Sequence, residues 1–374
     1  MEKTLIISLI SEQTVPNIQF MKWYWNEHIS LQSDLLFIST EEMEKKEKSK
    51  LIIDTLNYVE YPYDSYGLIT VNENSISDMN ANLSNAFNSD LNELYINSYE
   101  KVVLNMTGGT KIMSLAAYLY FKKIDNLEIY YQPFNKDLIQ LYPIEKTMKS
   151  ATISLTEALL ANGFSAEETG EELKDYEFNK NFYKECLKEN RSGLKVIVLL
   201  GNARNNGKKT FNILEMKSSP KYTRGDVNNA IKIAKYCGFD PSNITGEQIA
   251  YITGGWFEEY VFQYIMNQNK IPKENIALNM KVERGNDKNE LDVVYMSNDS
   301  KLHIVECKAL IEKAKNSTVI NDAIYKLKSL TTKFGLKVQG YVYTMATTIN
   351  DVYYDRASDL SIKIEDGNEL QKRM

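Results

Sequence analysis

Histidine, cysteine and long apolar runs are all scarce in these 374 residues, and each scarcity closes off a class of function. With only His28 and His303 present, an imidazole triad or a histidine-rich zinc site would have to be built on one of these two. Three cysteines, Cys186, Cys237 and Cys307, are too few and too scattered for a disulfide framework or a cysteine-ligated zinc site. That fits a reducing, cytoplasmic setting. No stretch approaches the ~18 apolar residues of a membrane span. Met1 to Ile10 is apolar only briefly before Glu12, Gln13 and Pro16, which reads as a strand and not as a signal peptide. The net charge of −6 leaves no global attraction to nucleic acid, so any such contact would rest on a local patch.

What is present is concentrated between Glu290 and Lys308. Glu290-Leu291-Asp292-Val293-Val294-Tyr295-Met296 and Lys301-Leu302-His303-Ile304-Val305-Glu306-Cys307-Lys308 are rich in β-branched and apolar residues. Between them lies the polar turn Ser297-Asn298-Asp299-Ser300, so the segment reads as a β-hairpin. A turn centred on Asp299 puts Asp292 opposite Glu306, and strand alternation puts Lys308 on their face. Buried carboxylates are costly unless compensated, and a divalent cation compensates them while activating water. A salt-bridge cluster at a sheet edge is the plainer alternative, and the matching register of Asp292 favours the metal. His303 has the wrong parity for this face and reads as structural.

The first part of the chain alternates strands and helices, which predicts a parallel sheet with right-handed crossovers. Leu5 to Ile10 and Asp34 to Thr40 read as strands, with Pro16 in the first turn of an intervening helix. The charged run Glu41 to Lys50 reads as a solvated helix face, and Asn72 to Asn97 as loop and surface helix. A strand from Lys101 to Asn105 enters Met106-Thr107-Gly108-Gly109-Thr110-Lys111, and a helix from about Ile112 to Lys122 follows. Paired glycines between a strand and a helix allow close approach to a ligand, and the helix N-terminus favours an anion. The loop lacks the Gly-Lys-Ser/Thr ending of a nucleotide-triphosphatase phosphate loop, which weighs against a phosphoryl-transfer enzyme. In such a sheet the loops after the first strand and after Leu104 lie on one side, so Ser11, Gln13, Asn17 and Thr107 to Lys111 form one candidate site. Leu127 to Tyr131 and Leu138 to Tyr142 close this domain.

Between Thr152 and Thr245 the signals weaken. Leu155 to Leu160 and Glu167 to Asn190 read as helical, Leu194 to Leu200 as strand or buried helix, and Gly201 to Lys209 as a basic loop. Asp226 to Cys237 reads as a helix capped by Asp226 or Asn228. A new domain begins near Thr245 with one long helix, Glu247 to Asn267. In it Glu258 shares a face with Val261, Phe262 and Ile265 and points inward, and Glu259 is the less buried candidate acid. Lys313, Lys315, Lys326, Lys328, Lys333 and Lys337 supply local positive charge, Tyr325 and Lys326 on a helix that could return to the site.

The stretch Asn105-Met106-Thr107-Gly108-Gly109-Thr110-Lys111-Ile112-Met113, with Ser11-Glu12-Gln13, resembles the CRISPR-associated Rossmann fold (CARF) domain. That resemblance covers residues 1–145. It implies a Rossmann-like homodimer that binds a cyclic oligoadenylate, with Asn105 added to the ligand site. The order of a Gly-x-x-Phe-Glu helix, a Glu-Leu-Asp strand and a Glu-Cys-Lys strand resembles the PD-(D/E)xK restriction-endonuclease-like superfamily over residues 245–374, although Leu291 replaces the usual proline. It implies catalysis by Asp292, Glu306, Lys308 and Glu258, and Mn²⁺ or Mg²⁺ held by Asp292, Glu306 and Glu258 with the Val305 or Cys307 backbone. Residues 146–244 are then a small connector. Together the two signatures resemble the nucleases of type III CRISPR systems that cyclic oligoadenylates activate. They imply an α/β endonuclease acting on DNA, RNA or both, on single strands or by nicking duplexes, and activated most readily by cyclic tetra-adenylate. A ligand-responsive regulator that binds nucleic acid without cutting it is the alternative.

Overall fold

The computed structural model describes residues 3–28, 32–88, 96–133, 136–167, 173–188, 192–193, 195–198, 210–309, 316–335 and 338–373. The basic loop 201–209 and Lys313, Lys315 and Lys337 lie outside the described residues. The chain is mixed α/β and divides into two compact units. Unit 1 holds residues 1–165 with 298–300 and 333–337, and unit 2 holds the remainder. Of the segment read as a connector, residues 146–165 fall in unit 1 and 166–244 in unit 2. No helix among the described residues is long and apolar enough to cross a membrane.

Unit 1 is built on β1 (Lys3–Leu9), α1 (Val15–Glu27), β2 (Gln32–Ser39), α2 (Glu41–Lys45), α3 (Lys48–Tyr58), β3 (Tyr63–Thr70), α4 (Ile76–Asn88), β4 (Lys101–Asn105), α5 (Lys111–Phe121), β5 (Leu127–Tyr131), β6 (Leu138–Tyr142), β7 (Lys146–Met148) and α6 (Leu155–Ala161). The sheet order is β3-β2-β1-β4-β5-β6-β7, parallel as far as β5 and antiparallel beyond it. Helices cover both faces, which is why β1 and β2 are near-continuous apolar runs. Met79 and Leu83 of α4 and Met113, Ala116, Ala117 and Phe121 of α5 pack on Leu5, Ile7, Leu9, Val102 and Leu104. Each fully buried side chain of this size stabilises the unit by roughly 1.5–3 kcal/mol relative to exposure. The order turns outward in both directions from the β1–β4 pair, so the crevice beyond Leu9 and Asn105 is a topological switch point.

Three features of unit 1 depart from the sequence expectation. β3 went unread, because as an edge strand of mixed burial it lacks an apolar run. The run Glu41 to Lys50 is split between two helices, and Lys48 is buried with its ammonium 2.8 Å from Glu12. The sheet also extends past Tyr142 through β7.

Unit 2 is organised on a second sheet of order β15-β14-β13-β12-β11-β8. Its strands are β8 (Ser165–Glu167), β11 (Ile276–Arg284), β12 (Asp287–Met296), β13 (Leu302–Lys308), β14 (Val338–Thr344) and β15 (Ile362–Glu365). A two-residue pair, β9 (Thr210–Phe211) with β10 (Ile244–Thr245), stands apart from it. One apolar core runs from Phe182 and Tyr183 through Val227, Ile252, Trp256 and Tyr260 to Val293 and Val305. Residues 195–198 are helical, with Val196 and Ile197 fully buried in that core.

The helix read as Asp226 to Cys237 spans Arg224–Tyr236, and its N-cap is Thr223. Asp226 is instead the third residue of a capping box, bonding back to the Thr223 N–H. The single long helix expected over 247–267 is interrupted. Gly246–Ala250 and Trp256–Gln268 are α-helical, and Tyr251–Gly255 between them is a π-turn. The Gly254-Gly255 pair relaxes the backbone where that turn forms, and such turns often mark functional sites.

Candidate functional site

The hairpin forms in the expected register, with Val293 opposite Val305, Val294 opposite Ile304, and Tyr295 opposite His303. Pairing then stops although both strands continue. On the other side of β12, Leu278 pairs with Val293 and Met280 with Leu291, and the intervening Asn279 has a left-handed φ of 50°. Asp292 therefore sits where the strands part. Its carboxylate replaces a ladder bond, Oδ2 accepting from the Cys307 N–H at 2.7 Å.

Around this fork the charges converge. Glu306 is buried, 4% exposed, and its Oε1 and Oε2 each lie 2.6 Å from an ammonium, those of Lys308 and Lys326. Burial, reinforced by the negative charge of Glu306, raises the Asp292 carboxyl to about 6. Glu258 is raised to about 7, first by burial and then by Asp292, with Lys308 opposing. Burial pulls Lys308 down, but Glu306 and Asp292 outweigh it, so its pKa ends above the usual lysine value. The cluster thus brings Glu258, Asp292, Glu306 and Lys308 together and is short of positive charge. Hard carboxylate oxygens in that condition fit a divalent ion such as Mg²⁺ or Mn²⁺. Among the described residues no three acidic, histidine or cysteine groups are already gathered as a cation cage.

Glu259 does not belong to this cluster, and it is the more buried of the two helix acids, at 5% exposure. Its Oε2 accepts from the Tyr251 hydroxyl at 3.1 Å and from Asn179 Nδ2 at 3.3 Å, tying the helix Trp256–Gln268 to the segment before it. Adjacent positions on a helix point about 100° apart, so only one of the two acids faces the fork. His303 lies on the opposite face, stacked on Tyr295 at 4.4 Å with Nε2 3.0 Å from Ser297 Oγ. Lys326, on the helix Asn316–Lys333, does return to the cluster as its position suggested. The strand fork itself had no sequence signal beyond a polar residue at 279.

In unit 1 the loop after β4 is held by neutral groups. Asn105 is fully buried; its Nδ2 donates to Ser8 Oγ at 3.3 Å, and its Oδ1 accepts from the Thr107 N–H at 3.1 Å. Thr107 Oγ1 also accepts from the Gln132 N–H at 3.0 Å. Gly108 lies against the end of β1, where an added Cβ would fall 2.0 Å from the Leu9 carbonyl oxygen. The same oxygen accepts from Asn17 Nδ2 at 3.0 Å. Gly109 has φ +73°, a conformation that favours glycine. Thr110 caps α5 by accepting from the Met113 N–H, and Lys111 is exposed at its first turn. Ser11 Oγ donates to the Gln13 carbonyl at 3.3 Å in the neighbouring loop. Asn105, Asn17 and Gly108 build the rim; Gly109, Thr110 and Lys111 are more open to solvent.

Comparison with known proteins follows the same division. Residues 5–158 match the model of the Card1 CARF domain, and residues 245–373 that of the Card1-like endonuclease domain. The fold is similar to that of protein VC1899 from Vibrio cholerae, at 19% identity and a TM-score of 0.73, covering 99% of this chain and 95% of that one. It is also similar to Can2 from Sulfobacillus thermosulfidooxidans in complex with cyclic tetra-adenylate, at 18% identity and a TM-score of 0.67, covering 98% and 94%. A search of curated proteins finds no match. The chain therefore joins a CARF domain of the Card1 family to an endonuclease domain of the Card1-like family.

Proposed function

We infer that this chain is a metal-dependent endonuclease for DNA, RNA or both, activated when a homodimer of its CARF domain binds a cyclic oligoadenylate, foremost cyclic tetra-adenylate, in type III CRISPR defence. The observation that carries the catalytic half is the buried cluster at the strand fork, with two carboxyl groups raised first by burial and then by the negative charge of a neighbouring carboxylate. The ligand half is supported by the CARF family match and by a structural neighbour bound to cyclic tetra-adenylate.

Asp292 and Glu306, with Glu258 at greater reach and a backbone carbonyl at Val305 or Cys307, would hold Mn²⁺ or Mg²⁺. Once bound, such an ion lowers the pKa of water and offsets phosphate charge. Lys308 keeps its proton under these neighbours, so it donates hydrogen bonds and positive charge to the phosphate as negative charge builds on it. Glu258, raised to about 7 by burial and by Asp292 with no cation present, would regain its charged form beside a bound ion and help to hold it. The Cys307 N–H holds one Asp292 oxygen in place and leaves the other available.

In unit 1 the N-terminus of α5 and Lys111 offer positive potential to a phosphodiester, while the glycines let the loop pack against the end of β1. Ile112, Leu115 and Tyr118 are exposed at three-residue spacing on the same helix. That stripe suits a second copy, and a two-fold axis suits a ring of repeated adenylate units. Activation then requires the ligand to bind one arrangement of the dimer more tightly than another.

The test is cleavage of single-stranded DNA, supercoiled DNA and single-stranded RNA with Mn²⁺, with and without cyclic tetra-adenylate. Ligand-dependent cutting of at least one substrate is expected. No cutting of any substrate with both additives present overturns the reading.

A further inference from the structure

Glu306 is the one member of the cluster whose two carboxylate oxygens are each held by a cation. Lys308 reaches Oε1 from two residues along the same strand, 28% of its side chain exposed. Lys326 reaches Oε2 from another element, the helix Asn316–Lys333. That helix is anchored without it, by Ile320, Ala323, Ile324, Leu327 and Leu330, all buried. Its neighbour Tyr325 points to solvent, and 40% of the Lys326 side chain is itself exposed. Burial therefore does not force Lys326 inward. The pull is the excess negative charge of the fork.

We propose that Lys326 is a positioning residue whose ammonium keeps the place of the divalent cation on Glu306 and gives it up when the ion arrives. This rests on reading the fork as a metal-dependent nuclease site. An ammonium and a divalent ion on one carboxylate oxygen repel each other at close range, so arrival of the ion favours release of the ammonium. Lys308 is the more enclosed of the two and is held by Asp292 as well as Glu306. Lys326 has open water beside it and four methylenes of reach. While it is in place, Glu306 keeps its orientation beside Asp292 and Glu258 without a metal. The same contact weakens metal binding.

The experiment titrates Mn²⁺ alone into the full-length chain by calorimetry, without nucleic acid. Lys326→Met, which keeps the stem and removes the charge, is expected to bind Mn²⁺ about tenfold more tightly than the wild type. Lys326→Arg restores a cation and is expected to return the affinity to the wild-type value, which a merely structural role would not do. Lys326→Gln serves as a second neutral variant if the methionine protein is poorly behaved. Unchanged or weaker Mn²⁺ binding in both neutral variants overturns the place-holder while leaving a metal-dependent site intact. If neither the wild type nor the neutral variants bind Mn²⁺, the reading of the fork as a metal site fails, and the place-holder with it.

Discussion

The two candidate sites both lie at strand ends, but they are made of opposite materials. The rim in unit 1 consists of backbone, glycine and neutral side chains largely bonded to one another, such as Asn105 with Ser8 and Thr107, with Asn17 Oδ1 left buried without a partner among the described residues. The fork in unit 2 buries several like charges, and burial together with the neighbouring carboxylates raises the pKa values of Asp292 and Glu258. A neutral rim bonded mainly to itself keeps its shape without needing a counter-charge. A fork of unmatched carboxylates is poised to take up a cation and move protons. Shape suits a sensor, and unmatched charge suits chemistry.

The sharpest way to break this comparison is to alter one site and read the other. Asp292→Asn or Lys308→Ala is expected to lower Mn²⁺-dependent cleavage by at least about a hundredfold. Cyclic tetra-adenylate binding, measured by calorimetry, should stay within about twofold of wild type, because the rim shares no side chain with the fork. Retained cleavage in both variants would sink the catalytic assignment. Next, Gly108→Ala places a methyl group against the Leu9 carbonyl oxygen and is expected to destabilise the protein by about 1–3 kcal/mol in urea unfolding. It should also abolish the response to the ligand.

A smaller effect is expected from Lys111→Ala, since Lys111 is exposed and carries no part of the rim. Ligand affinity should fall about tenfold, roughly the worth of one charge-assisted phosphate contact, with thermal stability unchanged. The mildest test uses pH. Glu258 and Asp292 titrate near 7 and 6 when folded, against about 4 in an unfolded chain. In that window the folded state binds more protons, so their contribution to stability is complete below about pH 4 and is lost as pH rises through 6 to 7. The metal-free protein should therefore lose a few degrees in Tm between pH 5 and pH 8 from these groups. Glu258→Gln should flatten that slope; an unchanged slope would mean that Glu258 is not buried among like charges.

How much of this was legible in the sequence depended on whether the signal was local. The hairpin register followed from a polar turn and strand alternation, so the shared face of Asp292 and Glu306 could be read directly; that the ladder ends at Val293 and Val305, leaving Asp292 unpaired with Glu306 and bonded to the Cys307 N–H, could not. The loop from Asn105 to Lys111 announced itself through its two glycines. Other features depend on what the chain meets in space. β3 has no apolar run because it is an edge, and the burial of Lys48 depends on Glu12, far away in sequence. The relative burial of Glu258 and Glu259 is not fixed by a helical pattern; it depends on partners such as Asn179 and Tyr251, which draw Glu259 into the core. The π-turn at Tyr251–Gly255 shifts the helix phase just before both, which periodicity over an unbroken helix does not anticipate.

The turn between Met296 and Leu302 carries a further consequence. Surface turns ordinarily tolerate gain or loss of single residues, because nothing beyond the turn notices. Here the count matters, since Asp292 meets Cys307 and Glu306 only while the two strands keep their present parity. Removing one residue would send Asp292 to the face of His303 unless a bulge absorbed the change. The length of a short turn is thereby tied to the geometry of the carboxylates at the far end of the hairpin, and sequence drift in that turn is restricted to substitutions or to insertions made in pairs.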